Sequence, residues 1–222
     1  MGYLCGPVGQ TGSVRFQPLS TAALVEHVVA LVLQLDAGRR WRLAVDGPPP
    51  TRPGDLADAL VAPLRALGRP VVRASADDFL RPASLRWEHG RLDADAFYTD
   101  RLDVGALSRE LLDGFGPDGT GRYVASFWDA ARERATRAPH EQAAPGAILL
   151  LDGSLLLGRG LPLDLTVHLS VRAETLARST PQDERWTLPA FSRYADEVVP
   201  ERSADVVVRV DDPRHPALLL DR

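Results

Sequence analysis

Short runs of leucine and β-branched residues alternate along this chain with segments whose apolar positions recur at helical spacing. Trp41 to Asp46 reads as an apolar strand. After a nine-residue connection, Leu56, Ala59, Leu60 and Leu64 fall on one helical face. Further strands are expected at Pro70–Ser75, Ala147–Leu151, Leu165–Leu169 and Ala204–Val210. Helices are expected from Thr21, with Thr21 or Ser20 as cap, to about Asp36, closed by Gly38, and from about Gly54 to Leu67, ended by Gly68. Two shorter ones are expected at Gly105–Leu112 and Ala173–Arg178. Residues 76–104 are polar, aromatic and irregular, a stretch that is costly to order unless it lines a site. Gly114–Gly121 reads as a loop, and the glycine-containing residues 1–17 read as loosely held.

Strands separated by helical segments imply βαβ units, right-handed crossovers and a mainly parallel sheet covered by helices on both faces. No internal repeat, low-complexity tract or interdomain linker interrupts residues 18–222. The expectation is one three-layer α/β domain.

Composition narrows the function classes. With 45% hydrophobic and 25% charged residues and a net charge of −4, the chain has no global field to attract nucleic acid or an anionic membrane. All 26 basic residues are arginine, so any role that needs the compact ammonium of lysine is absent or replaced. The single cysteine, Cys5, has no internal partner, which points to a reducing, cytoplasmic setting. The start of the chain lacks the pattern of a signal peptide. The longest apolar stretch, Ala22 to Leu35, is 14 residues with Glu26 and His27 inside it, too short to span a bilayer. The five histidines are scattered without metal-ligand spacing, which argues against zinc. His168, inside an apolar strand, reads as a satisfied core or strand-end histidine.

Polar chemistry gathers at the carboxyl ends of the expected strands, where open parallel sheets bind ligands. Those ends read Asp46-Gly47, Ser75-Ala76-Asp77-Asp78-Phe79 and Asp152-Gly153. A carboxylate buried at a strand end is costly unless it holds a metal, a hydroxyl or an arginine. Each of them can also simply cap the following turn.

In order and rough spacing, "RLAVDGPPPTRPGDLADAL", "GRPVVRASADDFLRP", "DADAFYTDRLDVGAL", "AILLLDGSLLL" and "ADVVVRVDDP" resemble the uridine kinase and phosphoribulokinase family of P-loop kinases, over about residues 16–217. The resemblance implies a P-loop kinase-like fold with a small lid at about 178–194. It implies transfer of a phosphoryl group from ATP, with Mg2+, to a hydroxyl of a nucleoside-like small molecule. On that resemblance Asp77 matches the general base, flanked by Asp78 and Phe79 in the acceptor pocket. Arg81, Tyr98 and Asp103 match its substrate loop, and Asp152 matches the acid that organises magnesium. Arg178, Arg185 and Arg193 fall where the lid arginines clamp phosphates. Read from the residues alone, Tyr98 is equally a packed aromatic with a satisfied hydroxyl, Asp103 a helix cap, and the lid arginines solvated surface.

The nucleotide side departs from that pattern. The phosphate loop spans Gly47 to Asp55, with Gly47, Thr51, Arg52 and Gly54 as its candidate nucleotide contacts. Four of the seven residues from Pro48 to Gly54 are prolines. The second glycine, the lysine and the magnesium-binding hydroxyl of the pattern fall on Arg52, Pro53 and Gly54. Prolines supply no N–H to an anion cradle and favour an extended run. Arg52 is expected to resist the positive φ that glycine takes there. Pro53 suits a first helical turn, where Asp55 complements the helix dipole. Three readings follow: a phosphotransferase, a former kinase that still binds a small ligand at its acceptor side, and a scaffold. The loop weighs against the first, and the acceptor motifs favour the second.

Overall fold

A computed structural model describes residues 15–220; Cys5 and residues 1–14 of the segment expected to be loosely held lie outside them. In chain order the elements are β1 (Phe16–Pro18), α1 (Thr21–Leu33), β2 (Trp41–Asp46), α2 (Pro53–Ala66), β3 (Val71–Ser75), α3 (Ala83–Arg86), α4 (Ala94–Thr99) and α5 (Val104–Ala106). They continue with β4 (Arg122–Tyr123), β5 (Trp128–Asp129), β6 (Arg134–Ala135), β7 (Glu141–Gln142), β8 (Ile148–Gly153), β9 (Leu165–Ser170), α6 (Ala173–Ser179), α7 (Leu188–Glu197), α8 (Pro200–Ser203), β10 (Val206–Arg209) and β11 (Ala217–Leu219).

Seven strands form the central sheet in the order β1-β11-β10-β9-β2-β8-β3. The five from β10 to β3 run parallel, and β11 and β1 close one edge antiparallel. Alternation along the strands explains the three layers. Leu43, Val45, Ile148 and Leu150 face α1 and α2, while Ala44, Leu149 and Leu151 face a second layer built on Leu107, Leu111, Leu112 and Phe115. Both faces being covered, β8 reads as an unbroken apolar run from Ile148 to Leu151, and β2 is interrupted before its end only by Arg42, which pairs with Asp164 at 2.8 Å. Ser20 caps α1, its Oγ accepting the Ala23 N–H at 3.1 Å.

The expected parallel strands and long helices are present. Three differences have local causes. Phe16 and Gln17 of β1 lie in the segment expected to be loose, and pairing with β11 gives them a partner along the edge. Within 105–112 only the first turn is α-helical; Leu107–Leu112 widens into a π-helix, which turns Leu107, Leu111 and Leu112 into the core. Four two-residue strands, β4 with β7 and β5 with β6, were not expected, being too short to carry a period.

From β2 the chain passes β8 to reach β3, and from β8 it passes back over β2 to reach β9, so the crevice above the carboxyl ends of β2, β3, β8 and β9 is the ligand-binding edge such sheets offer.

Candidate functional site

The loop after β2 uses its own donors. Gly47 N–H bonds Gly153 O at 3.1 Å, Thr51 N–H bonds Pro48 O at 2.9 Å, Arg52 N–H bonds Pro49 O at 3.0 Å, and Asp55 N–H bonds Arg52 O at 3.1 Å. The four prolines have none to give. Thr51 is buried, and its hydroxyl also donates to Pro48 O, at 2.8 Å. Among the described residues, only the Gly54 amide in this loop lacks an intramolecular acceptor. A cradle for phosphate needs several such amides converging.

Two expectations about the loop are corrected. The prolines do not form an extended run: Pro48 is extended, and Pro49–Thr51 then closes into a 3-10 turn. Arg52 does take a positive φ, 54° with ψ 60°. For a side-chain-bearing residue this costs about 1–2 kcal/mol, offset by the bonds its N–H and C=O make to Pro49 and Asp55. Pro53 then opens α2, with Asp55 in its first turn. Gly47 is required by close approach, because a Cβ there would meet Thr51 Oγ1 at 2.6 Å and Leu169 Cβ at 2.9 Å.

The Asp152 carboxylate, at the end of β8, is bound by an arginine. Arg73 Nη1 donates to Asp152 Oδ1 at 2.6 Å, Nη2 to Gly54 O at 3.4 Å, and Nε to Asp58 Oδ1 at 2.7 Å. The guanidinium thus lies between the acid matched to magnesium and the start of α2. Gly54, where the pattern has a hydroxyl, brings only a backbone carbonyl. The residues present do not fit Mg2+: the carboxylate is already neutralised by a fixed cation, and no cluster of three or more His, Cys, Asp or Glu among the described residues could hold a metal ion. Sequence reasoning missed Arg73, although an arginine inside "VVRAS" carries a signal. A charge on a half-buried strand requires a partner.

On the side expected to hold the acceptor, Asp77 follows β3, with a 62% exposed side chain and its Oδ1 receiving Arg101 Nη2 at 2.7 Å. Asp78 beside it is half-buried, and burial raises its pKa, with the Asp77, Asp152 and Asp129 charges adding to the rise and the Ser126 hydrogen bond opposing it. Phe79 is fully buried and stacks on Phe127, so it belongs to the core and supplies no surface to a ligand. Asp103 caps α5, accepting the Ala106 N–H at 2.8 Å. Arg81 pairs with Asp100 at 2.6 Å. Tyr98 donates to Glu197 at 3.2 Å, with Arg159 and Arg193 over its ring.

Arg101 links Asp77 to a cavity of about 280 Å³ lined by Trp87, Arg91, Phe97, Arg101 and Trp186, among others. Trp186 meets Phe97 edge-on at 5.4 Å, and the Arg91 guanidinium lies 4.5 Å from the Trp87 ring centre. Sequence reasoning did not bring these aromatics and arginines together, because they come from the segment between α3 and α4, from α4 and the residues after it, and from the turn before α7, about a hundred residues apart.

The three arginines expected to form a lid do not converge. Arg178 is exposed and lines a cavity of about 300 Å³ that also contains Pro50 and Thr51. Arg185 is exposed on a 3-10 turn. Arg193 faces the acceptor side, paired with Asp95 at 3.1 Å and Glu197 at 2.8 Å. Arg52 reaches only Asp55, at 3.7 Å on the surface. Among the described residues, no helix is long and apolar enough to cross a membrane.

No family model and no curated protein matches the sequence. Solved structures match the fold. A possible uridine kinase from Bacillus stearothermophilus superposes with a TM-score of 0.68 at 19% identity, covering 84% of this chain and 97% of that one. D-glycerate 3-kinase from Cryptococcus neoformans var. grubii superposes with a TM-score of 0.57 at 12% identity, covering 84% and 94%. These likenesses are of the fold, and the chain carries the P-loop kinase-like fold.

Proposed function

We propose that this chain binds a nucleoside-like, hydroxyl-bearing small molecule at its acceptor side and has lost, or nearly lost, phosphoryl transfer from magnesium ATP. The observation that carries this reading is the Arg73 guanidinium bonded to Asp152 and to Gly54 O. It supplies internally the positive charge that a metal would bring, while four of the loop's five amides are already bonded to carbonyls of the protein. Deleting one preorganised charge-stabilising donor typically lowers turnover ~10²–10³-fold, and here the lysine, the metal hydroxyl and several amides are missing together.

The acceptor side supports binding for the opposite reason. The cavity beside Arg101 offers aromatic faces to a planar ring and guanidinium groups to its carbonyl or hydroxyl oxygens. Asp77 stands next to it as the acceptor for a ligand hydroxyl. The similar solved structures named above are kinases of small molecules, in keeping with a small ligand here. In this reading residues 18–222 act as one cytoplasmic domain, and 178–194 is its lid.

Thermal denaturation tests it. Uridine and cytidine, at 100-fold over their dissociation constants, stabilise the fold by about 2.7 kcal/mol without added metal, and ATP with Mg2+ leaves the melting temperature unmoved. A rise with magnesium ATP and none with any nucleoside overturns the proposal.

A further inference from the structure

The third carboxylate at a strand end, Asp46, is fully buried, and its partners create a feature that neither the loop nor the acceptor side uses. Its Oδ1 accepts the Leu156 N–H at 2.9 Å. Its Oδ2 accepts the Tyr194 hydroxyl at 2.9 Å and lies 2.7 Å from His168 Nδ1. An ionised carboxylate only accepts, so the proton of a neutral His168 is held at Nδ1. Tyr194 is itself fixed from two sides, because its oxygen also accepts the Leu157 N–H at 3.0 Å. Burial and the Asp46 charge raise its pKa, so it remains a phenol.

This arrangement leaves His168 half used. Its side chain is 6% exposed, and its Nε2 makes no hydrogen bond with the described residues. The ring lines a cavity of about 310 Å³ whose other walls include Pro48, Val171, Leu176, Phe191 and Val199. The remaining polar groups at its edge are already paired: Ser170 Oγ accepts Arg209 Nε at 2.9 Å, and Arg209 Nη2 bonds Glu201 at 2.9 Å. A buried acceptor facing an otherwise apolar cavity with neutralised edges calls for a ligand that is uncharged and brings one donor. The volume, at the low end for small-molecule sites, limits it to a single ring or a short branched chain.

We propose that this cavity is a second ligand site, which takes a small, uncharged, largely apolar molecule whose one hydroxyl or N–H donates to His168 Nε2. Asp46 fixes the tautomer that makes Nε2 the acceptor. The site is separate from the acceptor cavity near Arg101, and its occupation does not require the function proposed above.

Phenol and toluene, nearly equal in shape and differing in a hydroxyl, are suitable probes. Binding is followed by titration with NMR detection of the His168 ring nitrogens. Phenol shifts the Nε2 resonance at saturation, and the phenol-to-toluene affinity ratio falls about tenfold in His168→Phe, the equivalent of ~1.4 kcal/mol and within the range of one buried hydrogen bond. Because that variant leaves Asp46 with one partner fewer and can unfold, Ala195→Trp serves as the second test. Ala195 is exposed on α7 yet lines the cavity, so the indole fills it without touching Asp46; both probes lose binding while the melting temperature holds. Unchanged binding in Ala195→Trp, an unchanged ratio in a folded His168→Phe, or no Nε2 shift with phenol overturns the proposal.

Discussion

The loop at 47–55 and the segment at 77–101 stand at the same edge of one sheet, yet they treat their polar groups in opposite ways. In the loop, N–H groups are removed by proline or bonded within the protein, those of Thr51, Arg52 and Asp55 to carbonyls three residues back and that of Gly47 to Gly153 O, which among the described residues leaves the Gly54 amide alone. The acid across from it is neutralised by Arg73 at 2.6 Å. In the second segment Asp77 stays largely exposed, and Arg101 and Arg91 lie open to a cavity with aromatic walls. A polar group satisfied inside the protein gains little from a ligand, because binding must first break the bond it has. One half of the edge is therefore closed around its own bonds, while the other keeps its Asp77–Arg101 pair beside a cavity, with Asp77 largely in solvent.

The largest effect is expected from reopening the closed half. Pro48→Ser, Pro49→Ala, Pro50→Ala, Arg52→Gly, Pro53→Lys and Gly54→Ser restore the donors and the ammonium, and Arg73→Ala removes the competing cation. A Cβ at position 54 would lie 3.4 Å from Asp152 Oδ2 and 3.7 Å from Arg73 Nη2, so the new hydroxyl sits beside the acid once Arg73 is gone. Two new charge-assisted bonds at about 1.5 kcal/mol each correspond to ~10²-fold tighter magnesium ATP. Calorimetric titration reads this directly. If the restored chain binds magnesium ATP no better than the parent, the closure of the loop is not what excludes the nucleotide.

A smaller effect separates the two carboxylates on Arg73. The side chain of Asp152 is 15% exposed and that of Asp58 69%, so the same guanidinium makes one sheltered and one solvated pair. Asp152→Asn is expected to cost about 2–3 kcal/mol, because it leaves a partly buried cation short of its partner. Asp58→Asn is expected to cost under about 1 kcal/mol. Urea midpoints at constant slope compare them, and equal losses would mean that Arg73 is held mainly by the backbone carbonyls around it.

The contrast between the two halves was readable in the sequence to unequal depth. The parallel strands followed from apolar runs such as "AILLL" and "VVVRV", since burial on both faces leaves a strong signal, whereas their order in the sheet did not. The loss of loop donors followed from proline chemistry alone. The positive φ of Arg52 did not, because it depends on bonds to Pro49 and Asp55 that exist only once the turn has closed. The partners of the acids were hidden as well. Asp46 with His168 and Tyr194, and Asp77 with Arg101, are joined across 24 to 148 positions of sequence. Residue type announced that these carboxylates needed a metal, a hydroxyl or an arginine, and only packing decided which. Phe79 shows the reverse: a motif position suggested a ligand contact, and the fold used the ring as core.

The smallest expected effect compares the adjacent acids of the open half. Burial raises the Asp78 pKa above its ordinary 3.8, and the charges of Asp77, Asp152 and Asp129 act in the same direction, against the Ser126 hydrogen bond. A carboxyl with a raised pKa holds its proton more tightly in the folded chain. Its ionisation therefore lowers stability as pH rises above the unfolded value, and the loss is complete above the folded one. Asp78→Asn removes that loss and can still accept from Ser126 through its amide oxygen. Its melting temperature should exceed the parent's at pH 7, with the difference shrinking as pH falls through the carboxylate range toward 3.8. Asp77→Asn, on a largely exposed side chain, should stay within about 0.5 kcal/mol of the parent at pH 7. A lower melting temperature for Asp78→Asn at every pH would show that the Ser126 bond outweighs burial, and that this acid belongs with the satisfied half of the edge.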